Sequence, residues 1–295
     1  MTQRYLHMLL EKLFRAYQFL KQDKFAMTGV IIYLIFIIVA VFAPVIAPHD
    51  PHQMVRVEGK LMFNQSPSFS FFLGTTNMGR DIFSQLIYGT RPSLIIGFTA
   101  AFLVMSVGTI IGLVAGYYRG STENILMRFT DIAFGIPFEP FVIVLVAFLG
   151  PSMWNIVFAM TLLLWRDTAR VIRSQVLTVR ERAFVEAARV SGASNFRIMV
   201  VHIAPNIMGL SFLYGTLAIG WAILTEAAIS FLGFGDPTVI SWGYMLQDAY
   251  VSQALTRGSY AWFIPPGICI MLCVMAGFYI GRGSEEILFP RLKKK

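Results

Sequence analysis

The residue types that most often do chemistry form no catalytic set in this chain. His7 and His202 stand far apart, and His49 and His52 lie three residues apart in the sequence HDPH. No Gly-x-x-x-x-Gly-Lys loop is present to cradle a phosphate, and no serine or cysteine has a base spaced to activate it. The HDPH pair reads as a solvated loop, with metal capture as the weaker alternative. Cys269 and Cys273, four apart in an apolar run, read as small packing residues. Two carboxylates stand out by their surroundings. Glu139 lies between Pro137 and Pro140, and Glu226 lies near the end of another apolar run. A carboxylate in hydrocarbon is costly unless it faces a polar cavity or a partner. These two therefore either line a passage, where they meet a substrate amine or cation, or cap and bridge neighbouring helices.

The most informative stretch is ERAFVEAARVSGASNFRIMVVHIAPN, residues 181–206. Phe184, Ala187, Ala188 and Ser191 fall on one face of a short helix. Gly192 supplies a left-handed stop, Ser194 or Asn195 caps the next helix, and Pro205 kinks it. The expected product is a helix, an elbow and a long helix. Small residues on the short helix allow close approach of a second protein, while Arg182, Glu186 and Arg189 supply a polar rim.

The elements that must hold this elbow are set by the distribution of charge. The chain of 295 residues is 56% hydrophobic and 14% charged, and the charge is segregated. Residues 27–47, 92–118, 198–225 and 258–281 contain no Asp, Glu, Lys or Arg, and 132–165 contains only Glu139. Each run can cross a hydrocarbon core about 30 Å thick. The run from Ile132 to Trp165 is too long for one crossing and has Gly150-Pro151-Ser152 at its centre, so it reads as a helical hairpin. An all-α membrane protein of six transmembrane helices is expected; continuous apolar runs argue against a β-barrel. With six spans, 19 of the 24 Lys and Arg fall on the side that carries both termini, which makes both termini cytoplasmic. The net charge of +8 is then a topology signal and needs no nucleic-acid partner.

Organisation follows from the same pattern. Residues 1–26 form a cytoplasmic amphipathic segment lying on the membrane lipid, or else a partner-binding helix. The first span, 27–48, has no small-residue cleavage site after it and reads as a retained anchor. An external loop covers 49–91; within it Asp81 to Tyr88 is expected to form a short surface helix closed by Gly89, before Pro92 opens the second span. Residues 92–281 form the main domain of five helices, and 282–295 a basic cytoplasmic tail.

Glu186-Ala187-Ala188, then Gly192 and Pro205, resembles the Glu-Ala-Ala…Gly loop of permease subunits of binding-protein-dependent ABC importers. In that family the loop is the coupling helix that docks into the ATPase subunit, here 184–195. The likeness narrows to the second, C-type permease of the dipeptide and oligopeptide (nickel) branch through LGTTNMGRDIFSQLIYGTRPSL at 73–94, GYYRGSTENILMRFTDI at 116–132, EAAISFLGFG at 226–235, SWGYML at 241–246 and PPG at 265–267. Gly74, Gly79, Arg80 and Asp81 belong to that branch's external signature. Three departures are Thr76 where Asp is usual, Ala204 where Leu is usual before the proline, and Gly281-Arg282-Gly283 followed by Glu285 and Glu286 where the family has Gly-Asp-Gly followed by Arg.

The resemblance implies the type I importer fold in a prokaryotic inner membrane. It also implies a homologous second permease, an external binding protein, and one or two cytoplasmic ATPases that carry ATP and Mg²⁺, with no cofactor on this chain. It implies peptide as the default solute, with oligosaccharides or nickel chelates as alternatives. An ion-coupled secondary transporter or passive channel is the rival; it requires inverted repeats that the chain does not display and leaves the elbow unexplained.

Overall fold

The computed structural model describes residues 23–288, with side chains through residue 284. The expected amphipathic helix preceding the first span lies mostly outside the described residues, as does the end of the basic tail. In chain order the helices are α1 (Lys24–Val41), a single turn α2 (Ala43–Ile46), α3 (Ile82–Tyr117), α4 (Ser121–Gly135), α5 (Phe138–Leu149) and α6 (Met153–Arg180). There follow α7 (Ala183–Val190), a short α8 (Asn195–Arg197), α9 (Ala204–Ile229), α10 (Trp242–Val251) and α11 (Tyr260–Leu288). The two strands, β1 (Arg56–Val57) and β2 (Lys60–Leu61), pair antiparallel around Glu58 and Gly59, both of which have positive φ.

Asp23 caps α1, accepting from the Phe25 and Ala26 amides, and no charged residue interrupts the helix after Lys24. Ile31, Leu34, Ile35 and Ile38 are half exposed on it, which is a surface suited to lipid. Its inner side lies close to α11. A Cβ on Gly29 would stand 2.6 Å from the Ala276 carbonyl oxygen, and the Tyr33 hydroxyl donates to the Cys273 carbonyl at 2.9 Å.

The longest α-helix, α3, has 36 residues and spans about 54 Å, so it projects well beyond a hydrocarbon core. Gly108, Gly112 and Gly116 repeat every four residues along the face toward α6. A Cβ on them would approach Thr168 Cβ, the Ala169 carbonyl oxygen and Val176 Cβ at 2.6, 2.6 and 2.7 Å. The helix is continuous through Gly89 and Pro92, in contrast to the expected surface helix ending at Gly89. Gly89 is a packing position: its Cβ would lie 3.2 Å from Trp242 Cδ1 and 3.4 Å from the Ile240 carbonyl oxygen. Burial of Ile82, Ser84, Gln85 and Ile87 holds the first turns to the rest of the bundle.

Among the described residues, four helical stretches are long and apolar enough to cross a membrane: Lys24–Val41, Ile82–Tyr117, Asn195–Phe234 and Tyr260–Ser284. The pair Ser121–Gly135 and Phe138–Leu149, bent by 87°, makes a fifth if it counts as one span. Within the expected hairpin, the turn at Gly150 is present, with φ +94°, but the first arm starts well before residue 132 and is broken at Ile136–Pro137. Proline lacks the N–H and forces its predecessor out of the helical region, and Ile136 accordingly has φ −89° and ψ 123°. The second arm, α6, is amphipathic: Ile156, Met160, Leu163, Ile172, Val176 and Val179 are buried, while Asp167 and Arg170 are exposed.

At the other end, the boundary expected at residue 282 is not a break, and α11 continues to Leu288. Gly283 lies against Ala26, and the Arg282 guanidinium stacks 5.3 Å from the Phe25 ring centroid.

Candidate functional site

The elbow is built by local rules. Of the residues of α7 only Val185 is buried, seated with Val179, Ile198 and Ile203. The helix ends in a Schellman arrangement: the Gly192 amide donates to the Arg189 carbonyl at 3.0 Å and the Ala193 amide to the Ala188 carbonyl at 3.1 Å. Gly192 adopts φ +81° with open space where a Cβ would be, so its role is conformational. Ser194 then caps α8, accepting from the Arg197 amide at 3.3 Å. The kink expected at Pro205 takes the form of a π-helical stretch, Ile198–Ile203, immediately before α9. Proline there cannot donate, and the wider turn absorbs the mismatch.

What α7 leaves outside is an apolar surface with a charged edge. Phe184, Val190 and Phe196 are 39, 81 and 71% exposed, and Ala187 is exposed beside them. Glu186 and Arg189 are exposed and pair with each other at 2.6 Å. The base of the elbow is tied to two long helices. The Tyr117 hydroxyl donates to Asn195 Oδ1 at 2.7 Å, and Arg180 donates to the Tyr117 carbonyl at 2.6 Å. Arg119 and Glu181 pair at 3.0 Å. Of the two caps expected, Ser194 takes the role and Asn195 instead binds Tyr117; residue types alone give no sign of Tyr117 and Arg180.

Between the α4/α5 break, α6 and α9 lies an open cleft of about 620 Å³. Glu139 opens into it from the first turn of α5, with Asp167 and Arg166 from α6 and Tyr214 and Trp221 from α9. Arg166 donates to the Ala133 and Ile136 carbonyls at the end of α4. Its guanidinium lies 4.8 Å from the Phe134 ring centroid, and that of Arg170 lies 3.9 Å from the same ring. Arg170 also pairs with Asp131 at 2.8 Å. Two arginines thus clasp the broken helix to α6.

The two singled-out carboxylates sit in different places. Glu226 is 2% exposed and does not reach the cleft: its Oε1 accepts from the Ser230 and Ser241 hydroxyls, each at 2.7 Å, beside a void of only about 10 Å³. Ser241 also caps α10, so Glu226 holds that helix to the end of α9.

The glycines and charges of 74–81 form a knot at the end of the bundle opposite the elbow. Gly74 has φ +82° and is pressed on the Gln65 carbonyl oxygen, and Gly79 has φ +72°. Thr76 is fully buried, and its hydroxyl accepts from the Met78 and Arg80 amides, which closes the turn. Asp81, also fully buried, caps α3 by accepting from the Ser84 amide at 2.9 Å and the Ser84 hydroxyl at 2.6 Å. Of the HDPH pair, His49 lies 3.6 Å from Asp81, while the His52 amide donates to Asp50. On α10, burial pushes the Asp248 carboxyl above its usual range, and the nearby charge of Arg80 opposes this. For Asp236, burial is outweighed by hydrogen bonds from the Thr238 hydroxyl and amide and the Met153 amide, and its carboxyl is held below the ordinary value.

A bundle of apolar helices with a cleft between broken segments and a short exposed helix at one end is the architecture of a multi-pass membrane transport component. Residues 108–294 match the family of binding-protein-dependent transport system inner membrane components, and residues 14–67 match the N-terminal transmembrane domain of oligopeptide transport permease C. The chain belongs to the binding-protein-dependent transport family and is a multi-pass protein of a prokaryotic inner membrane. Members of this family are permease components and not themselves enzymes. Among similar proteins is the oligopeptide transport system permease protein OppC of Bacillus subtilis (strain 168), 37% identical over 277 residues, covering 93% of this chain and 88% of the relative. Another is the dipeptide permease protein DppC of the same organism, 34% identical over 280 residues, covering 95% and 86%. The glutathione transport system permease protein GsiD of Pectobacterium atrosepticum is 34% identical over 277 residues, covering 94% and 90%.

Proposed function

We propose that this chain is one permease subunit of an ATP-driven peptide importer, pairing with a homologous second permease so that each supplies half of the passage. An external binding protein delivers the peptide. One or two cytoplasmic ATPase subunits, which carry the ATP and Mg²⁺, seat on α7. The amphipathic α6 makes the sixth crossing beside the bent α4–α5 pair. Both termini are then cytoplasmic, and the elbow lies on the cytoplasmic side, in keeping with the arginines of residues 166–197. Peptide as the solute is supported by the similarity to oligopeptide and dipeptide permeases; oligosaccharides or nickel chelates are the alternative cargo.

The observation that carries this reading is the combination at the elbow. A helix with an exposed apolar face is held rigidly through Tyr117 and Arg180 to the ends of α3 and α6. A lever needs both a surface for the driver and a stiff joint to the driven element. In this reading Phe184, Glu186, Ala187, Ala188 and Arg189 meet the ATPase, Gly192 sets the elbow angle, and Pro205 marks where the long helix begins. Glu139 faces the passage and Glu226 braces the bundle.

The test is co-purification with the ATPases encoded beside this chain, followed by peptide uptake and ATP hydrolysis in proteoliposomes. Gly192→Val forces a branched side chain into the left-handed region, at a cost of about 1–2 kcal/mol, and should separate hydrolysis from uptake. Uptake that persists with every ATPase subunit removed would overturn the proposal.

A further inference from the structure

Glu139 and Asp167 enter the cleft partway along their helices. Glu139 stands about 15 Å along α5 from Leu149, and Asp167 lies about 20 Å from either end of α6. Glu139 is exposed to the cleft and makes no hydrogen bond or ion pair with any described residue. Asp167 has only a 4.0 Å approach to Arg166 Nε. Arg166 is the one cation lining the cleft among the described residues, and its terminal nitrogen is turned to the Ala133 and Ile136 carbonyls. The cleft is therefore left with an excess of negative charge: Glu139 has no cation beside it, and Asp167 shares one only at 4.0 Å.

The remaining wall mixes aromatic rings with aliphatic side chains such as Leu164 and Leu217. Trp221, 60% exposed, and Phe138 line it, and the volume of about 620 Å³ lies in the range of small-ligand sites. Carboxylates and aromatic rings lining one open cleft fit an ammonium group carried on a small, partly apolar molecule.

We infer that this cleft is a transient subsite for the α-ammonium group of the passing peptide, with Glu139 as its principal ion-pair partner, Asp167 as the second, and Trp221 against the first side chain. The inference rests on the peptide-importer reading and adds to it a selectivity step in the permease itself, separate from the binding protein. Because Glu139 sits one turn after the break at Ile136–Pro137, an ammonium bound there also bridges α5 to α6.

The test titrates trialanine and N-acetyl-trialanine into the complete permease–ATPase complex in nanodiscs, without the external binding protein. The unmodified complex should bind trialanine at least tenfold more tightly than the acetylated peptide. Glu139→Gln should reduce that preference to threefold or less, and Glu139→Asp should retain most of it. Asp167→Asn should narrow it by a smaller factor and serves as the second variant if Glu139→Gln does not assemble. Equal binding of the two peptides by the unmodified complex overturns the inference, as does a preference that survives in both charge-neutral variants. Uptake of trialanine with binding protein and ATP is measured in parallel. Its absence marks failure of the importer reading itself, whereas uptake with no preference in the cleft marks failure of this inference alone.

Discussion

The Tyr117 hydroxyl donates to Asn195 Oδ1 across 2.7 Å, joining the last turn of α3 to the first residue of α8. The two residues are 78 positions apart in sequence, and Tyr117 is 6% exposed in the apolar cluster that also takes Val185. Arg180 donates to the carbonyl of the same tyrosine, so α3, α6 and the elbow meet at one residue. A force applied to α7 therefore reaches two long helices without passing through a flexible segment.

Tyr117→Phe keeps the ring in its apolar seat and removes only the hydroxyl. The loss should be about 1 kcal/mol of local stability. Assembly should survive, while the number of peptides imported per ATP hydrolysed falls by a factor of two or more. The check is a paired uptake and hydrolysis assay; an unchanged ratio would remove this bond from the coupling route.

The glycine ladder on α3 makes a sharper structural claim. Gly112→Ala places a methyl group 2.6 Å from the Ala169 carbonyl oxygen, a backbone atom that cannot swing aside, so α3 and α6 must separate. Thermal stability in detergent should drop by several degrees, as overpacking typically costs 1–3 kcal/mol. Gly135→Ala, where nothing lies within 4 Å of the new Cβ, should leave the melting temperature within a degree.

Much of this arrangement is legible in the residue order. The spans at 27–47, 92–118, 198–225 and 258–281 follow from runs without charge, because removing every Asp, Glu, Lys and Arg from twenty or more residues has few purposes outside a bilayer. The elbow follows from Gly192 and Ser194, whose cap geometries are local. What local chemistry does not reveal is long-range. Gly89 looks like a stop, yet it is a point where Trp242, 153 positions away, packs against the helix. Pro92 looks like a start, yet tertiary burial carries the helix through it. Glu139 and Glu226 share one description in sequence and differ entirely in surroundings, since Ser230 stands one helical turn from Glu226 and the fold brings Ser241 to it as well.

Asp236 provides a pH dependence. Its carboxyl accepts from the Thr238 hydroxyl and amide and from the Met153 amide at the start of α6, and these bonds outweigh burial to hold it below its ordinary value. A depressed carboxylate contributes stability that is fully present above its unfolded value of 3.8 and lost as pH falls through the lower folded value. Hydrogen exchange at the Met153 amide should therefore accelerate, relative to the intrinsic rate, only below that range. Asp236→Asn should show the faster exchange already at neutral pH.

Glu226 separates a brace from a conduit. Glu226→Gln keeps a carbonyl oxygen in place for the Ser230 and Ser241 hydroxyls and removes the charge. If the residue holds α10 to α9, uptake should stay within about twofold and the assembled complex should keep its melting temperature. Glu226→Ala leaves two buried hydroxyls without their acceptor, at about 1–3 kcal/mol each, and should loosen α10 enough for trypsin to cleave at Arg257 on its far side. A charge-neutral glutamine variant that assembles normally yet loses transport would place Glu226 on the solute route after all, because no structural bond would have been broken to account for the loss.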